Sequence, residues 1–203
     1  MGQLLRLAVS GATSFTRECC TGALCNLARK TWITAEIFKE VGLLDTLLNC
    51  LRVALIQGEE GTCALAAKGV WNAVSRMAQD RPFIEDCLKS GMIGSLCGAA
   101  KGAAELLIAL DEEQHRRAST VSTKYLGSVD DAEDFSVNDE RGDGRFRVQM
   151  REAIKACLKA LHAILKHKWV RTNASVFRIK ENLLTTLVSC RVGGTQASET
   201  VRF

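Results

Sequence analysis

Proline is nearly missing from this chain: Pro82 stands alone among 203 residues. A turn-dense β-sandwich needs more breakers than that, so the scarcity argues for long helices joined by short loops. Aromatic residues are also few, at seven Phe, three Trp and one Tyr. No apolar run reaches the roughly 18–20 residues of a membrane span, and the mean hydropathy of +0.02 agrees. Catalytic signatures are missing too. There is no phosphate-binding glycine loop, no GxSxG and no HExxH. The three histidines are His115, His162 and His167, and the last two are five apart, which turns them to different sides of a helix. Glu59-Glu60 and Asp130-Asp131 fall in loop-like sequence without fixed geometry for acid–base work. An enzyme is not expected.

What is present is apolar. Hydrophobic residues make up 47% of the chain, too many for a wholly disordered polymer. The length suffices for one or two compact domains with a sizeable core. The expectation is a soluble, mainly helical protein.

Nine cysteines occur, an odd number, without any CxxC pair. Most stand beside Ala, Leu or Val, as small buried hydrophobes do in a reducing compartment. Cys19, Cys20 and Cys25 lack a histidine partner at a zinc spacing, so no metal or other cofactor is expected. The segment Met1-Gly2-Gln3-Leu4-Leu5-Arg6 has neither the layout of a signal peptide nor the Ser/Thr of a myristoylation signal. The expected location is the cytoplasm, with the nucleus as the other option, and no membrane partner.

Net charge is only +4, but it is unevenly spread. Between Asp111 and Arg145 there are 10 acidic and 5 basic residues, whereas the other 168 residues carry about +9. The 111–145 segment is polar, acidic and without apolar periodicity, so it reads as a disordered insertion. It contains Arg116-Arg117-Ala118-Ser119-Thr120, a basophilic-kinase type of site in which a phosphate on Ser119 would add nearly two negative charges. Two roles fit the segment: a tolerated surface insertion, or an acidic loop that competes for a basic groove on the same chain.

The rest of the chain repeats. Gly22-Ala-Leu-Cys-Asn26-Leu-Ala is followed by Val41-Gly42-Leu-Leu-Asp-Thr-Leu47-Leu48. Gly69-Val-Trp-Asn72-Ala-Val-Ser is followed by Ser90-Gly91-Met-Ile-Gly-Ser-Leu96. Ala160-Leu161-His162-Ala163-Ile164-Leu165 is followed by Glu181-Asn182-Leu183-Leu184. Asn26 and Asn72 are 46 residues apart, and the next interval is twice that, the excess including the acidic insertion. A period near 40–47 belongs to stacked helical repeats. Helical stripes recur inside each unit: Cys20, Ala23, Leu24 and Leu27; Cys63, Ala66, Ala67, Val70, Trp71 and Val74; Met150, Ile154, Cys157, Leu158, Leu161, Ile164 and Leu165. Gly42 and Gly91 suit left-handed helix ends, and Ser14 or Thr16 and Asp80 suit N-caps, with Pro82 in the first turn that follows.

On these motifs the chain resembles the armadillo repeat family. Ala23-Leu24-Cys25-Asn26-Leu27 and Gly69-Val70-Trp71-Asn72-Ala73 are similar to the family's third-helix Ala-Leu-x-Asn-Leu. Val41-Gly42-Leu43-Leu44-Asp45-Thr46-Leu47-Leu48 is similar to the motif opening its second helix. The third copy departs, with Ala163 in place of the Asn and Asn182 in place of the Gly. The likeness spans about 165 residues and implies an all-α, right-handed solenoid of about three repeats, an armadillo-like superhelix. In that frame residues 1–110 carry a partial first unit, a full second unit and the start of a third. The insertion occupies 111–145, the remaining helices 146–190 and a flexible tail 191–203. Both ends stop in mid-unit, so either the chain is a piece of a longer solenoid or its ends meet a partner or a second copy.

The resemblance implies a non-catalytic scaffold or adaptor that binds a peptide or partner protein in the concave groove of the third helices. Asn26 and Asn72 would hold the ligand backbone, since an amide both donates and accepts; otherwise they only brace neighbouring turns. Arg29, Lys68, Arg76 and Lys166 stand one turn from Asn26, Asn72 or the equivalent Ala163 and would favour acidic partners, unless they simply form a solvated face. The Trp that import receptors place one turn before each Asn is missing, since Gly22 and Lys68 stand there, which disfavours a nuclear import receptor. No aromatic-interleaved basic motif suggests nucleic acid. The alternative function is that of an assembly subunit joined through uncapped solenoid ends.

Overall fold

The computed structural model describes residues 1–30, 33–124, 139–172, 184–186 and 188, with backbone alone for 117–124 and 139–142. Among the described residues the chain is all-α, without a strand. The helices are α1 (Gly2–Ser10), α2 (Ser14–Ala28), α3 (Ala35–Glu40), α4 (Leu43–Gln57), α5 (Glu60–Arg76), α6 (Arg81–Lys89), α7 (Met92–Lys124), α8 (Asp139–Leu165) and α9 (Lys168–Thr172).

Local chemistry sets several of these boundaries. The Thr34 hydroxyl opens α3 by accepting from the Ile37 N–H at 3.4 Å, and Asp80 opens α6 by accepting from the Phe83 N–H at 2.9 Å. Pro82 sits in that first turn, where its missing N–H costs nothing. Gly42 and Gly91 hold φ of +63° and +77° at the entries to α4 and α7, a conformation that a Cβ penalises. Gly58 does the same at the end of α4, with φ +68°, an ending the repeat motifs did not mark. At α2 the cap is neither Ser14 nor Thr16. Thr13 precedes the helix in an extended conformation and accepts from the Thr16 N–H at 3.1 Å, because a cap must lie outside the first turn it closes.

Two rows of helices carry the fold. α2, α5 and α8 pack side by side in that order, and α1, α4 and α7 form a second row behind them, each paired with its successor in the chain. α2 and α5 run parallel. Arg17 meets Glu59, Cys25 meets Asn72 and Lys30 meets Arg76, at separations of 42, 47 and 46 residues. α5 and α8 are parallel as well, with Glu60 beside Arg145 and Trp71 beside Lys159. The small residues of α5 permit this closeness. Gly61, Ala64, Ala66, Ala67, Gly69 and Ala73 are buried, so three neighbouring helices approach its backbone. A Cβ on Gly69 would stand 2.9 Å from Leu47 Cδ2 and 3.3 Å from the Cys25 backbone.

Apart from Trp71, which is half-buried, the predicted stripes of α5 and α8 are the buried faces observed: Cys63, Ala66, Ala67, Val70 and Val74, then Met150, Ile154, Cys157, Leu158, Leu161, Ile164 and Leu165. α2 is rotated from its predicted stripe. Its buried residues are Thr21, Leu24, Cys25 and Ala28, while Cys20, Ala23 and Leu27 are only half covered. This helix ends its row, so it has a neighbour on one side only.

The 111–145 segment differs from expectation. α7 continues through Asp111 to Lys124, and α8 begins at Asp139, so both flanks of the presumed disordered insertion are helical; residues 125–138 and the tail from 191 lie outside the described residues. Composition misled because the acidic flank of α7 finds partners on α8. Arg147 pairs with Asp111 and donates to Gln114 Oε1 at 2.7 Å, and Gln114 donates to Asp143 at 2.9 Å. A second correction concerns apolar length. Met92–Arg116 is, by length and composition alone, apolar enough to cross a membrane, with hydropathy 1.5. One side of it, Met92, Leu96, Ala100, Ala103, Ala104 and Leu107, is packed in the core.

Candidate functional site

The outer face of the row α2, α5 and α8 is the candidate surface, and most of the residues that the sequence singles out are exposed on or beside these helices. Asn26 and Arg29 are exposed on and just after α2, Lys68 is exposed on α5, and Lys166 is exposed just beyond α8. Asn72 is half-buried on α5. Its Nδ2 donates towards the Cys25 carbonyl at 3.4 Å and lies 3.6 Å from the Cys25 sulfur. The amide donor is therefore turned to α2 and braces the two helices, the bracing alternative for this residue. Burial pushes the Cys25 thiol up, opposed by Lys68, Arg29 and the Asn72 hydrogen bond.

Arg76 leaves this face. Its guanidinium donates to the Lys30 carbonyl and lies over the Phe38 ring, 5.3 Å from the centroid. The Nε and Nη2 atoms are buried without a hydrogen-bond partner, and burial pulls its pKa down. Arg76 joins the end of α5 to the connection before α3. Ser119 lies on the backbone of α7 rather than in a loop.

Sequence reasoning missed the feature that organises the face. A cleft of about 330 Å³ opens between α5 and α8, lined by Leu65, Lys68, Trp71, Gln149, Lys155 and Lys159 with Ala64, Ala156 and Glu152. Lys159 Nζ sits 4.6 Å from the centre of the half-buried Trp71 ring, a cation–π contact. Trp71 belongs to the apolar stripe of α5, and Lys159 lies on α8. Their meeting depends on how α8 registers against α5, which no local pattern encodes.

Charge along the face is graded. At the N-terminal ends of the helices Arg17 donates through Nε to both Glu59 carboxylate oxygens at 3.1 Å, and Arg145 reaches Glu18 at 3.4 Å and Glu60 at 4.0 Å. The acids there are compensated. Further along stand Lys68, Lys155 and Lys159, with Glu152 as the one carboxylate lining the cleft, 3.5 Å from Lys155.

A larger cleft, of about 750 Å³, lies between α4 and α7 on the other row, lined by Leu48, Leu55, Ile56, Gly94, Gly98 and Gly102 among others. Among the described residues no group of three or more His, Cys, Asp or Glu side chains converges as metal ligands would. Burial raises the thiols of Cys63 and Cys87 to about 12, so neither is a nucleophile near neutral pH. No protein-family model, curated protein or solved structure matches this chain.

Proposed function

We propose that the chain is a non-catalytic interaction scaffold of armadillo type, which presents the α2–α5–α8 face to a peptide or partner protein. One observation carries this reading. Equivalent helices α2 and α5 lie parallel with contacts 42–47 residues apart, and α8 continues the same row. A helical solenoid sets equivalent helices side by side and parallel at a spacing near its repeat length, and its third-helix row forms a continuous ligand-facing surface. The second row, α1, α4 and α7, fits the second helices of the same units, and α3 and α6 fit the short first helices.

The test is selection from a random peptide display library, followed by two substitutions on the face and one off it. Asn26→Arg and Ser75→Arg place bulk on exposed positions of α2 and α5, and Ser95→Arg does so on α7. The scaffold reading expects enriched peptides whose binding is lost in the first two variants and kept in the third. Enrichment of nothing, or loss only in Ser95→Arg, would refute it.

A further inference from the structure

We infer that the α5–α8 cleft is the selective part of this face, and that it takes an extended acidic peptide segment with an apolar side chain beside its carboxylate. The inference rests on the scaffold reading above. It assigns recognition to Lys68, Trp71, Lys155 and Lys159 rather than to the asparagines, because the Asn72 donor is already directed to Cys25.

The argument begins with charge. Three ammonium groups and one carboxylate line a cleft of about 330 Å³, a net of +2. Lys68 and Lys155 are exposed, and the Lys155–Glu152 pair is a solvent-exposed neighbour pair within one helix, which gives way readily to a better partner. Lys159 differs. Its ammonium rests on the Trp71 ring, held in the cleft instead of swinging free. A carboxylate entering between Lys68 and Lys159 gains charge-assisted hydrogen bonds with little ordering of the lysine stem.

Part of the lining is apolar. Leu65, Ala64 and Ala156 share the cleft with Trp71, so an aliphatic side chain next to the carboxylate covers the indole and excludes water from the ion pairs. The lining selects further. Glu152 stands within the cationic stretch, and a continuous phosphate backbone would pass that carboxylate where a peptide of mixed character need not. The chemistry therefore favours an acidic peptide over a nucleic acid.

The experiment is fluorescence anisotropy with three labelled probes: a short peptide alternating aspartate and leucine, its lysine–leucine counterpart, and a single-stranded oligonucleotide. The acidic peptide should bind wild type and lose at least about tenfold in affinity in the Lys68→Glu/Lys155→Glu variant. Both positions are exposed, and circular dichroism checks that the fold is kept. Lys159→Gln should weaken the acidic peptide as well, and added salt should do so in wild type but hardly in the double variant. Tighter binding of the basic peptide or of the oligonucleotide to wild type, or an unchanged affinity in the double variant, would overturn the assignment. If library peptides of other composition still bind and are lost in Asn26→Arg and Ser75→Arg, the scaffold reading stands and only the acidic selectivity falls. If no peptide of any composition binds, both fall.

Discussion

Adding one methyl group at Gly69 sets two effects of similar size against each other. In a mid-helix position alanine is favoured over glycine by about 1 kcal/mol, through lower backbone entropy in the unfolded chain. At Gly69 the new Cβ would meet Leu47 Cδ2 at 2.9 Å, Leu47 Cδ1 at 3.1 Å and the Cys25 Cα at 3.3 Å. Leu47 is fully buried, and the Cys25 contact is backbone, so neither can turn away. Overpacking of this kind costs about 1–3 kcal/mol. Gly69→Ala is expected to lose about 1 kcal/mol net, or roughly 2–4 °C in Tm for a chain of this length. Gly98→Ala is the control, since a Cβ there meets nothing within 4 Å, and it should gain up to about 1 kcal/mol. Urea unfolding followed by circular dichroism measures both, provided the slope with denaturant stays constant. Truncating Leu47 in the Gly69→Ala background should cost less than in wild type, because the crowding atoms leave with it. A Gly69→Ala protein as stable as wild type, or additive costs in the double variant, would refute the close packing of α5 against α2 and α4.

Four further outcomes are expected. Asn72→Ala should lower stability by about 0.5–1.5 kcal/mol in the same unfolding assay, as loss of a bracing hydrogen bond does, and should raise the Cys25 thiol further, since Asn72 holds it down; binding of the acidic peptide should survive. Removing the α6 cap with Asp80→Ala should cost about 1 kcal/mol. Asp86 is held below the usual carboxylate range by its hydrogen bond and charge contact with Lys39, 2.7 Å away, so it should titrate low by NMR and return towards ordinary in Lys39→Met. The stability this pair contributes is present above the unfolded aspartate range and is lost as pH falls through the depressed value. Brief alkylation at neutral pH, read by mass spectrometry, should label exposed Cys19 while Cys63 and Cys87 react only after unfolding.

Much of the helical framework is legible in the residues because each unit encodes itself locally. Gly42, Gly91, Asp80 and Pro82 mark boundaries by backbone chemistry, and the stripes of α5 and α8 are strong enough to give their buried faces. The errors arise where a neighbour decides. α2 turns Thr21 and Cys25 inward because it has α5 on one side and no helix of its row on the other. The acidic stretch after Asp111 stays helical because Arg147 and Asp143 on α8 meet it, a pairing about thirty residues distant that composition does not carry. Among the site residues, exposure of Asn26, Arg29, Lys68 and Lys166 follows from their polar character, but their roles do not. Arg76 follows the same one-turn spacing as Lys68 and yet turns to Lys30 and Phe38. The Trp71–Lys159 contact depends on inter-helix register, so no motif contains it.

Chemical-shift mapping of the acidic peptide on isotopically labelled protein tests the central claim most directly, because it needs no prior choice of variants. The account predicts perturbations centred on Leu65, Lys68, Trp71, Lys155 and Lys159 and fading towards α2, with the α4–α7 cleft unmoved. Shifts centred on Leu55, Gly98 and Gly102 instead, or a spectrum left unchanged at saturating peptide, would contradict it.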